Sequence, residues 1–536
     1  MILDMNAKPI VAIPSVEEAA RFVPEQVVDL CRDLASTQRQ RDEFKQQLEW
    51  FKRQLFGSKS ERRLKEVSSA QMSLGDLGTD AEAGVEPKTR VIAQHTRKAV
   101  VRGEEDAAES LPFFDETRLP VHTIEVAAPE TAGLSPEDYE VVSHKDSYRL
   151  AQRPGSYVVI KYRRAVVKVK STQALVCAPA PQGPIEGSRA DVSFLAGMLI
   201  DKFRYHLPLY RQHQRLTDSG ITVSRAWLTQ IGQQAIGLLE PIYEAQLASI
   251  LEGRVIAMDE TPIKAGQAQP GKLKAAYFWP LYGERDEVCF PYCPSRRSEH
   301  VFEILGMKPK PDRVLLTDGY GAYARYAEKT GVKHAQCWAH TRRAFFEAQA
   351  VEPEASDEAL DMIGALFEVE ARIKQSKLKA AKKLDHRLEH AKPIVERFFA
   401  WVEERFRAQG LLPSNPLTKA LAYARDRRDA LEVFLTEAEV PIDTNHLERA
   451  LRPIPMGRKN WLFAWTEFGA KQVGVVQSLI VTCRLHGVDP YDYLVDVLQR
   501  VGTHPATRVA ELIPRNWKER FAADPMRSPL HGLTAA

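Results

Sequence analysis

The sequence predicts a multidomain α+β protein whose centre is a mixed sheet with acids at one end. Three observations carry this. Short apolar runs, "RVIAM" and "VLLT", end directly in Asp259 and Asp318. Around them, strand-like and helix-like stretches alternate, from about Gly253 to Ala350. Long segments with only helical periodicity stand on both sides. With 536 residues and 44% hydrophobic content, the chain has material for several modules.

Residues 1–66 form the first module, an N-terminal helix and coiled coil. Val27, Leu34, Leu48 and Leu55 repeat at heptad spacing, and Leu30, Phe44 and Phe51 form a second row three positions later. Thr37 and Arg41 interrupt the rows, and "LFGSKSERR" ends the helix at Gly57. The seam predicts self-association; a single amphipathic helix packed on its own protein is the alternative. Residues 67–110 are poor in large apolar side chains and read as a linker with a basic island, "HTRKAVVR".

Residues 111–185 predict a small β-rich module, with "HTIEVAA" as one strand and "SYVVIKYRRAVVKVK" as a longer strand or a hairpin. Its cations include Lys161, Arg163 and Arg164, and they do not share one face. Either the ribbon lies along phosphates or the sheet has a solvated basic face. Residues 186–252 are helical. The order helix, glycine turn at Gly220, then a second helix capped by Thr222 or Ser224 is the helix-turn-helix pattern, with Arg225 as its one obvious basic contact. Plain helical bundles use such pairs too.

In residues 253–351, "RVIAMD", "LKAAYFWPLYG" and "DEVCFPYC" read as three hairpin-linked strands. "SEHVFEILGM" (with Ser298 as cap), "DRVLLTDG", "YGAYARYAEKTG", "VKHAQC" and "WAHTRRAFFEAQA" then give the order αβαβα. This is the strand order of a ribonuclease H-like fold, in which strands one and four are parallel neighbours. Asp259 and Asp318 then stand together, and Gly319 permits a sharp turn after the second. Two close carboxylates repel unless a cation sits between them. Mg²⁺, a hard ion with oxygen ligands, suits that position. Each Asp on its own would more simply cap the turn that follows.

Residues 352–440 are helical throughout and rich in cations, a helical insertion with a solvated or DNA-facing surface. Residues 441–500 supply the final catalytic helices. Asp443 or Thr444 caps a helix on which Asn445, Glu448 and Arg452 share a face, so Glu448 is the candidate third acid. A surface ion pair between Glu448 and Arg452 is the plain alternative. Arg458 and Lys459 in "GRKNW" are candidate phosphate contacts. Residues 501–536 read as a C-terminal tail.

Lys and Arg total 74 against 71 Asp and Glu, a net charge of +3, so global charge does not announce a nucleic-acid binder. The six cysteines form no C-x-x-C pair, which argues against a disulfide framework. With no signal-like start and no membrane-length apolar run, the sequence predicts a cytoplasmic protein without a membrane partner.

The motifs "MDETPIKA", "LLTDGYGAYARY", "CWAHTRRAFFEA", "NHLERALRPIPMGRKNWLFA" and "SLIVTCRLHGVDPYDYL" together resemble the transposases of the insertion sequence 66 family, as do "LFGSKSERR" and "DKFRYHLPLYRQHQRL" upstream. The resemblance runs in order from about Val27 to Trp517. It implies a DDE triad of Asp259, Asp318 and Glu448, both catalytic and metal-binding, with two Mg²⁺ ions that Mn²⁺ can replace. It implies binding to transposon ends, cleavage that frees 3′-hydroxyls, and their transfer to target DNA. Asn445, Arg449 and Arg452 would support the site, and Cys337 and His340 match a C-x-x-H motif of related DDE enzymes. Two such ligands are too few for structural zinc, so packing and positioning is the expected role. Family members commonly carry a cysteine-rich module where this chain has only Cys177, so zinc is not supported there. Holding two ends together implies a homo-oligomer, dimer or higher, and the family admits accessory proteins of the same element. The competing readings are a ribonuclease H-like nuclease without strand transfer and a catalytically inactive DNA-binding protein.

Overall fold

The computed structural model describes residues 113–534, apart from 115–118, 133, 154, 270–271, 409–411, 462–463 and 465. The heptad seam, the basic island and the 1–66 and 67–110 modules lie outside the described residues.

The first sheet is built on one long strand. β1 (Val121–Val126) lies parallel to β3 (Ser156–Val169), and β2 (Tyr139–Arg153) and β4 (Leu175–Cys177) pair with β3 antiparallel. "SYVVIKYRRAVVKV" is therefore a single strand. Its partner β2, "YEVVSHKDSYRLAQR", carries mixed polar residues that hide its extended character from the sequence pattern. Tyr157, Val158, Val159 and Ile160 are all buried, so this part of β3 is covered on both faces.

Three helices follow: α1 (Val192–Phe203), α2 (Leu209–Asp218) and α3 (Arg225–Glu252). Gly220, at φ 83°, makes the turn after α2, and the Ser224 side chain caps α3 by accepting from the Trp227 amide. The helix-turn-helix pattern is thus present. Its second helix, however, runs for 28 residues and buries Leu228, Ile231, Ala235, Leu239, Ile242 and Ile250. That burial makes α3 a structural spine as well as the second half of a turn motif.

The central sheet holds β5 (Val255–Met258), β8 (Leu281–Gly283), β9 (Glu287–Cys289), β11 (Val314–Thr317) and β12 (Lys333–Gln336), in the order β12-β11-β5-β8-β9. β5 and β11 are parallel neighbours, as the strand order predicts. Two differences lie beside them: "DEVCFPYC", expected as one strand, is two strands in two different sheets, and so is the segment before it. "LKAAYFWPLYG" is two strands: β7 (Lys272–Phe278) pairs with β6 (Thr261–Gln269) and β10 (Tyr292–Cys293) in a separate three-stranded sheet, and β8 joins the central one. Pro280 has no amide hydrogen to continue a ladder, and the chain changes sheets there.

A helix covers the β9 edge. α14 (Glu467–Leu485) buries Gln477, Ser478 and Thr482, and each has a partner. The Phe290 amide donates to Ser478 Oγ at 2.9 Å, the Val288 amide to Thr482 Oγ1 at 3.2 Å, and Gln246 of α3 donates to Val288 O at 2.8 Å. An edge strand's free backbone groups are thus satisfied by side chains instead of a further strand.

Between β9 and α14 come α4 (Glu299–Leu305), α5 (Gly321–Thr330) and α6 (Trp338–Ala348), the helices of the αβαβα stretch. Ser298 precedes α4 without a side-chain capping bond. The helical insertion then comprises α7 (Pro353–Gln375), α8 (Ala380–His386), a π-helical turn (Arg387–Ala391), α9 (Lys392–Ala408), α10 (Pro416–Arg425) and α11 (Arg428–Glu432). α12 (Asn445–Leu451) and α13 (Pro453–Trp461) lead into α14, with α15 (Pro490–Arg500) and α16 (Pro514–Arg520) beyond.

The segment expected as a tail is folded. Leu512 and Trp517 are buried, and Ser528 Oγ donates to Asp191 Oδ1 at 2.6 Å. Arg515 pairs at 2.9 Å with Glu287, whose side chain is 1% exposed. Removing one partner of a buried pair leaves an uncompensated charge. Arg515→Ala is expected to lose about 3 kcal/mol in urea unfolding, and Arg515→Ala/Glu287→Gln to recover most of it. None of this was legible at the tail itself, because Arg515 meets its partner 228 residues away.

Candidate active site

The β5–β11 register pairs Val255 with Val314, Ile256 with Leu315 and Ala257 with Leu316. Carried two residues on, it sets Asp259 opposite Asp318 at the C-terminal ends of both strands. The Asp259 amide still donates to Pro280 O at 3.3 Å, so Asp259 extends the sheet instead of leaving it. Its Oδ1 accepts from the Glu260 amide at 2.7 Å, and Asp318 Oδ1 accepts from the Tyr320 amide at 2.9 Å. Burial pushes the Asp259 carboxyl up to about 7, and the negative charges of Asp318 and Glu260 add to it. The Glu260 amide bond and His340 oppose that rise.

Glu260, next in the chain, turns to different work. Its side chain is buried, accepting from the Tyr323 hydroxyl at 2.7 Å and from Arg296 Nε at 2.9 Å. Arg296 lies 4.2 Å over the Tyr320 ring, and the Tyr320 hydroxyl donates to Arg296 O at 2.7 Å. Glu260, just after the first aspartate, and Tyr320 and Tyr323, just after the second, are therefore bound with Arg296 into one clasp. Arg296 and Tyr323 were missed because the sequence gives no cue to a contact 36 or 63 residues away.

Glu448 lies against α6. His340 Nε2 stands 3.8 Å from Glu448 Oε1, and the charge of His340 also acts on Asp259. One turn before His340, Cys337 Sγ accepts from both the amide and the hydroxyl of Thr444 at 3.3 Å. The Trp338 amide donates to Ile442 O at 3.0 Å. The C-x-x-H segment thus seats the entry to the Glu448 helix. Asp443 Oδ1 accepts from the Asn445 amide at 3.0 Å, so Asp443 supports the start of α12. Among the described residues Glu448 makes no ion pair with Arg452, and the plain surface-pair alternative fails on that point.

The insertion supplies a second support. Arg427 Nη2 donates to Gly319 O at 3.3 Å while its guanidinium lies 3.9 Å over the Tyr423 ring. The chain bends at Gly319 as expected, but outside the left-handed region, so what requires glycine there is close approach. An added Cβ there would lie 2.7 Å from Tyr423 Oη and 3.0 Å from Arg427 Nε. Gly319→Ala is expected to cost about 1–3 kcal/mol through that overpacking and to lower activity, while Gly319→Ala/Tyr423→Ala restores stability in thermal unfolding. On the other side, Thr317 Oγ1 donates to Asp318 O at 2.9 Å and meets His334 Nε2 at 2.8 Å. Burial drives His334 down to about 4, leaving a neutral ring beside Asp318.

The remaining candidates are dispersed. Lys161 pairs with Asp146 at 2.8 Å, Arg163 lies near Asp146 and Glu125, and Arg164 donates to Ala178 O at 3.0 Å, all within the first sheet. Arg225 lies at the start of α3, 5.6 Å over Tyr210. Arg458 donates to Pro262 O, docking α13 on β6, and Lys459 is exposed.

For a metal, the donor set is suitable and not yet closed. Asp259, Asp318 and Glu448 offer the oxygen ligands that Mg²⁺ favours. Burial, with the charge of Asp318 adding to it, disfavours the ionised Asp259 carboxyl, and a cation relieves that penalty. Among the described residues, no three His, Cys, Asp or Glu side chains already stand close enough to hold an ion.

The family comparisons agree with this frame. Residues 187–472 match the model described as "Transposase IS66 family", residues 478–515 match the IS66 C-terminal element, and residues 43–112 match "Transposase C of IS166 homeodomain". Three proteins of Sinorhizobium fredii are similar over most of their length. Uncharacterized protein y4qI is 30% identical, covering 86% of each chain. Uncharacterized protein y4hP is 28% identical over 89% of each, and y4jD is 27% identical over 91% of this chain and 97% of its own. The class is that of the DDE transposases. Within it, the chain belongs to the IS66 family.

Proposed function

We propose that this transposase binds the ends of its insertion sequence, cleaves there to free 3′-hydroxyls, and joins them to target DNA, with Asp259, Asp318 and Glu448 as the catalytic acids. The observation that carries the reading is the placement of Asp259 and Asp318 on adjacent parallel strand ends, with Glu448 linked to them through His340. In this reading the three carboxylates hold Mg²⁺, or Mn²⁺ in its place, as two ions. When bound, they supply Lewis acidity at a phosphodiester and make an attacking oxygen available at neutral pH.

The chain's own part is positioning. The Glu260 and Tyr320 amides fix one oxygen of each aspartate. Cys337 and His340 set the approach of α12 and of Glu448, and Glu260 holds Arg296 over Tyr320 at the rim. Asn445, Arg449 and Arg452 lie on or just past the same helix. No Ser or Tyr nucleophile is required. The cations Arg225, Lys161, Arg163, Arg164, Arg458 and Lys459 are assigned to DNA contact; Lys161 and Arg163 would first have to give up their acidic partners. Capture of two ends calls for at least two copies of the chain.

The deciding assay uses labelled duplex from the element's own termini, Mg²⁺ and a supercoiled plasmid. Covalent joining of the labelled 3′ end to plasmid is the expected product. Cleaved ends with no joined product would overturn strand transfer in favour of a nuclease. Unchanged activity in Asp259→Asn and Asp318→Asn would remove the proposed site.

A further inference from the structure

A strongly basic concavity adjoins the proposed site, sharing Arg449 and Arg452 with its supporting helix. Two hollows of about 300 and 320 Å³ share Arg449, Pro453, Val481 and Arg484 and so run into each other. Four parts of the chain wall them: the loop after α1 with Arg204 and His206, Tyr282 of β8, the α12–α13 junction with Arg449 and Arg452, and the end of α14 with Arg484. Gln477, fully buried against the second hollow, donates its Nε2 to Phe203 O at 2.8 Å; its unpartnered Oε1 is an acceptor and takes no part in holding a phosphate.

Much of the surface charge is paired, but among the described residues exposed Arg342, Arg343 and Arg407 make no ion pair either, so what marks this site is the convergence of four arginines on one concavity. Arg405 pairs with Glu358, Arg428 with Glu432 and Arg508 with Glu511. Among the described residues, Arg449, Arg452 and Arg484 make no ion pair, and Arg204 reaches Asp489 only at 3.7 Å. A helix C-terminus favours Arg484 at the end of α14. It does not account for Arg449 and Arg452 at the same opening, where the cations repel one another over an apolar floor of Pro453 and Val481. His206 adds a second oddity. It holds a left-handed backbone at φ 57°, rare for a residue with a side chain, and its buried Nδ1 has no partner. Such strain persists where the surroundings impose it, and it clusters at binding sites.

We propose that these joined hollows are a cradle for the phosphate backbone of DNA. Guanidinium forks match phosphate oxygens, and several of them along an elongated concavity suit a run of phosphates better than one small anion. The exposed Tyr205 ring, with Arg204 5.5 Å over it, adds a stacking surface at the rim. Position supports the assignment. α12 presents Glu448 toward His340, and Arg449 and Arg452, one and four residues on, line the hollows. A strand engaged at the acids continues across them. The inference rests on the transposase reading in one respect, that the anion is DNA.

The test measures binding of the full-length protein to a fluorescein-labelled duplex of about 40 base pairs by anisotropy, at salt from about 50 to 200 mM. For Arg204→Ala/Arg484→Ala, affinity at the low-salt end should drop about tenfold and the log–log salt slope should shrink by about two. Arg204→Lys/Arg484→Lys should keep most of the slope. Arg428→Ala/Arg508→Ala, which removes two paired surface arginines, should change neither. Far-UV circular dichroism and the urea midpoint confirm that each variant is folded. An unchanged slope in folded Arg204→Ala/Arg484→Ala overturns the cradle, as does an equal loss in the paired-arginine control. Inorganic phosphate that stabilises wild type but not Arg204→Ala/Arg484→Ala, with the DNA slope unmoved, also overturns it and assigns a free anion. End cleavage by wild type, run in parallel, separates the two claims. A reduced slope without any cleavage leaves the cradle standing and sinks the transposition reading; cleavage with an unmoved slope does the reverse.

Discussion

Asp259→Asn and Asp318→Asn are each expected to lower end cleavage and joining by about 10³-fold or more, a loss of ~4 kcal/mol or more from the barrier side, while DNA binding is retained. Asp259→Asn should also make the metal-free protein more stable, by about 1–3 kcal/mol in urea unfolding. Both effects come from one arrangement. Asp259 and Asp318 follow neighbouring parallel strands, where burial and the nearby charge of Asp318 penalise the charged form of Asp259. Asn removes that repulsion and keeps the oxygen that accepts the Glu260 or Tyr320 amide. It also removes the charge a divalent cation requires. In wild type, Mg²⁺ should raise the unfolding midpoint, and in the Asn variants it should not. A destabilised Asp259→Asn with no activity would point to a structural role for the residue. An active one would reject it as a ligand.

The parts of this site that were legible from sequence are those written within one element. "VIAM" and "VLLT" are too apolar to end in acids without a reason, and their order in the chain predicts their adjacency. Glu448 is proposed from the sequence because its helix has a capped start and a polar face, and in the structure it stands 3.8 Å from His340. What escaped was set by contacts between elements. Thr261–Gln269 begins "TPIKAGQAQ", in which Pro262 and Gly266 obscure the alternation, yet it pairs with β7 along its length. Glu260 finds Arg296 through a turn, and Gly319 meets Tyr423 and Arg427 across the insertion. Neither meeting has a local pattern. The insertion itself was recognisable as helical, but its role as a wall behind Asp318 was not, because a cationic helical stretch looks the same whether it faces solvent or a site.

Arg387 in that insertion carries the largest expected effect on stability. It was one cation among many in "RIKQSKLKAAKKLDHR", and it is 0% exposed. Its Nε and Nη2 bind both oxygens of Glu370 at 2.7 and 2.9 Å, and its Nη1 donates to the carbonyls of Phe434 at 2.8 Å and Glu437 at 3.1 Å. Glu437 in turn binds Arg254 at 2.7 Å and also Lys333, beside the N-terminal ends of β5 and β12. The chain then runs through Ile442 and Thr444, held by Trp338 and Cys337, into the helix of Glu448. Arg387→Ala should therefore cost about 3–5 kcal/mol, because it strands a carboxylate and several carbonyls in the interior. Arg387→Met/Glu370→Leu, which replaces the whole ion pair by apolar volume, should recover a large part of that loss. Activity separates two roles for the network. If it serves only stability, the double variant regains cleavage along with its urea midpoint. If it also sets the return of the chain to Glu448, the double variant is stable but slow, since the carbonyls of Phe434 and Glu437 still lack their donor. The second outcome is expected, with affinity for DNA unchanged and the rate of cleavage reduced.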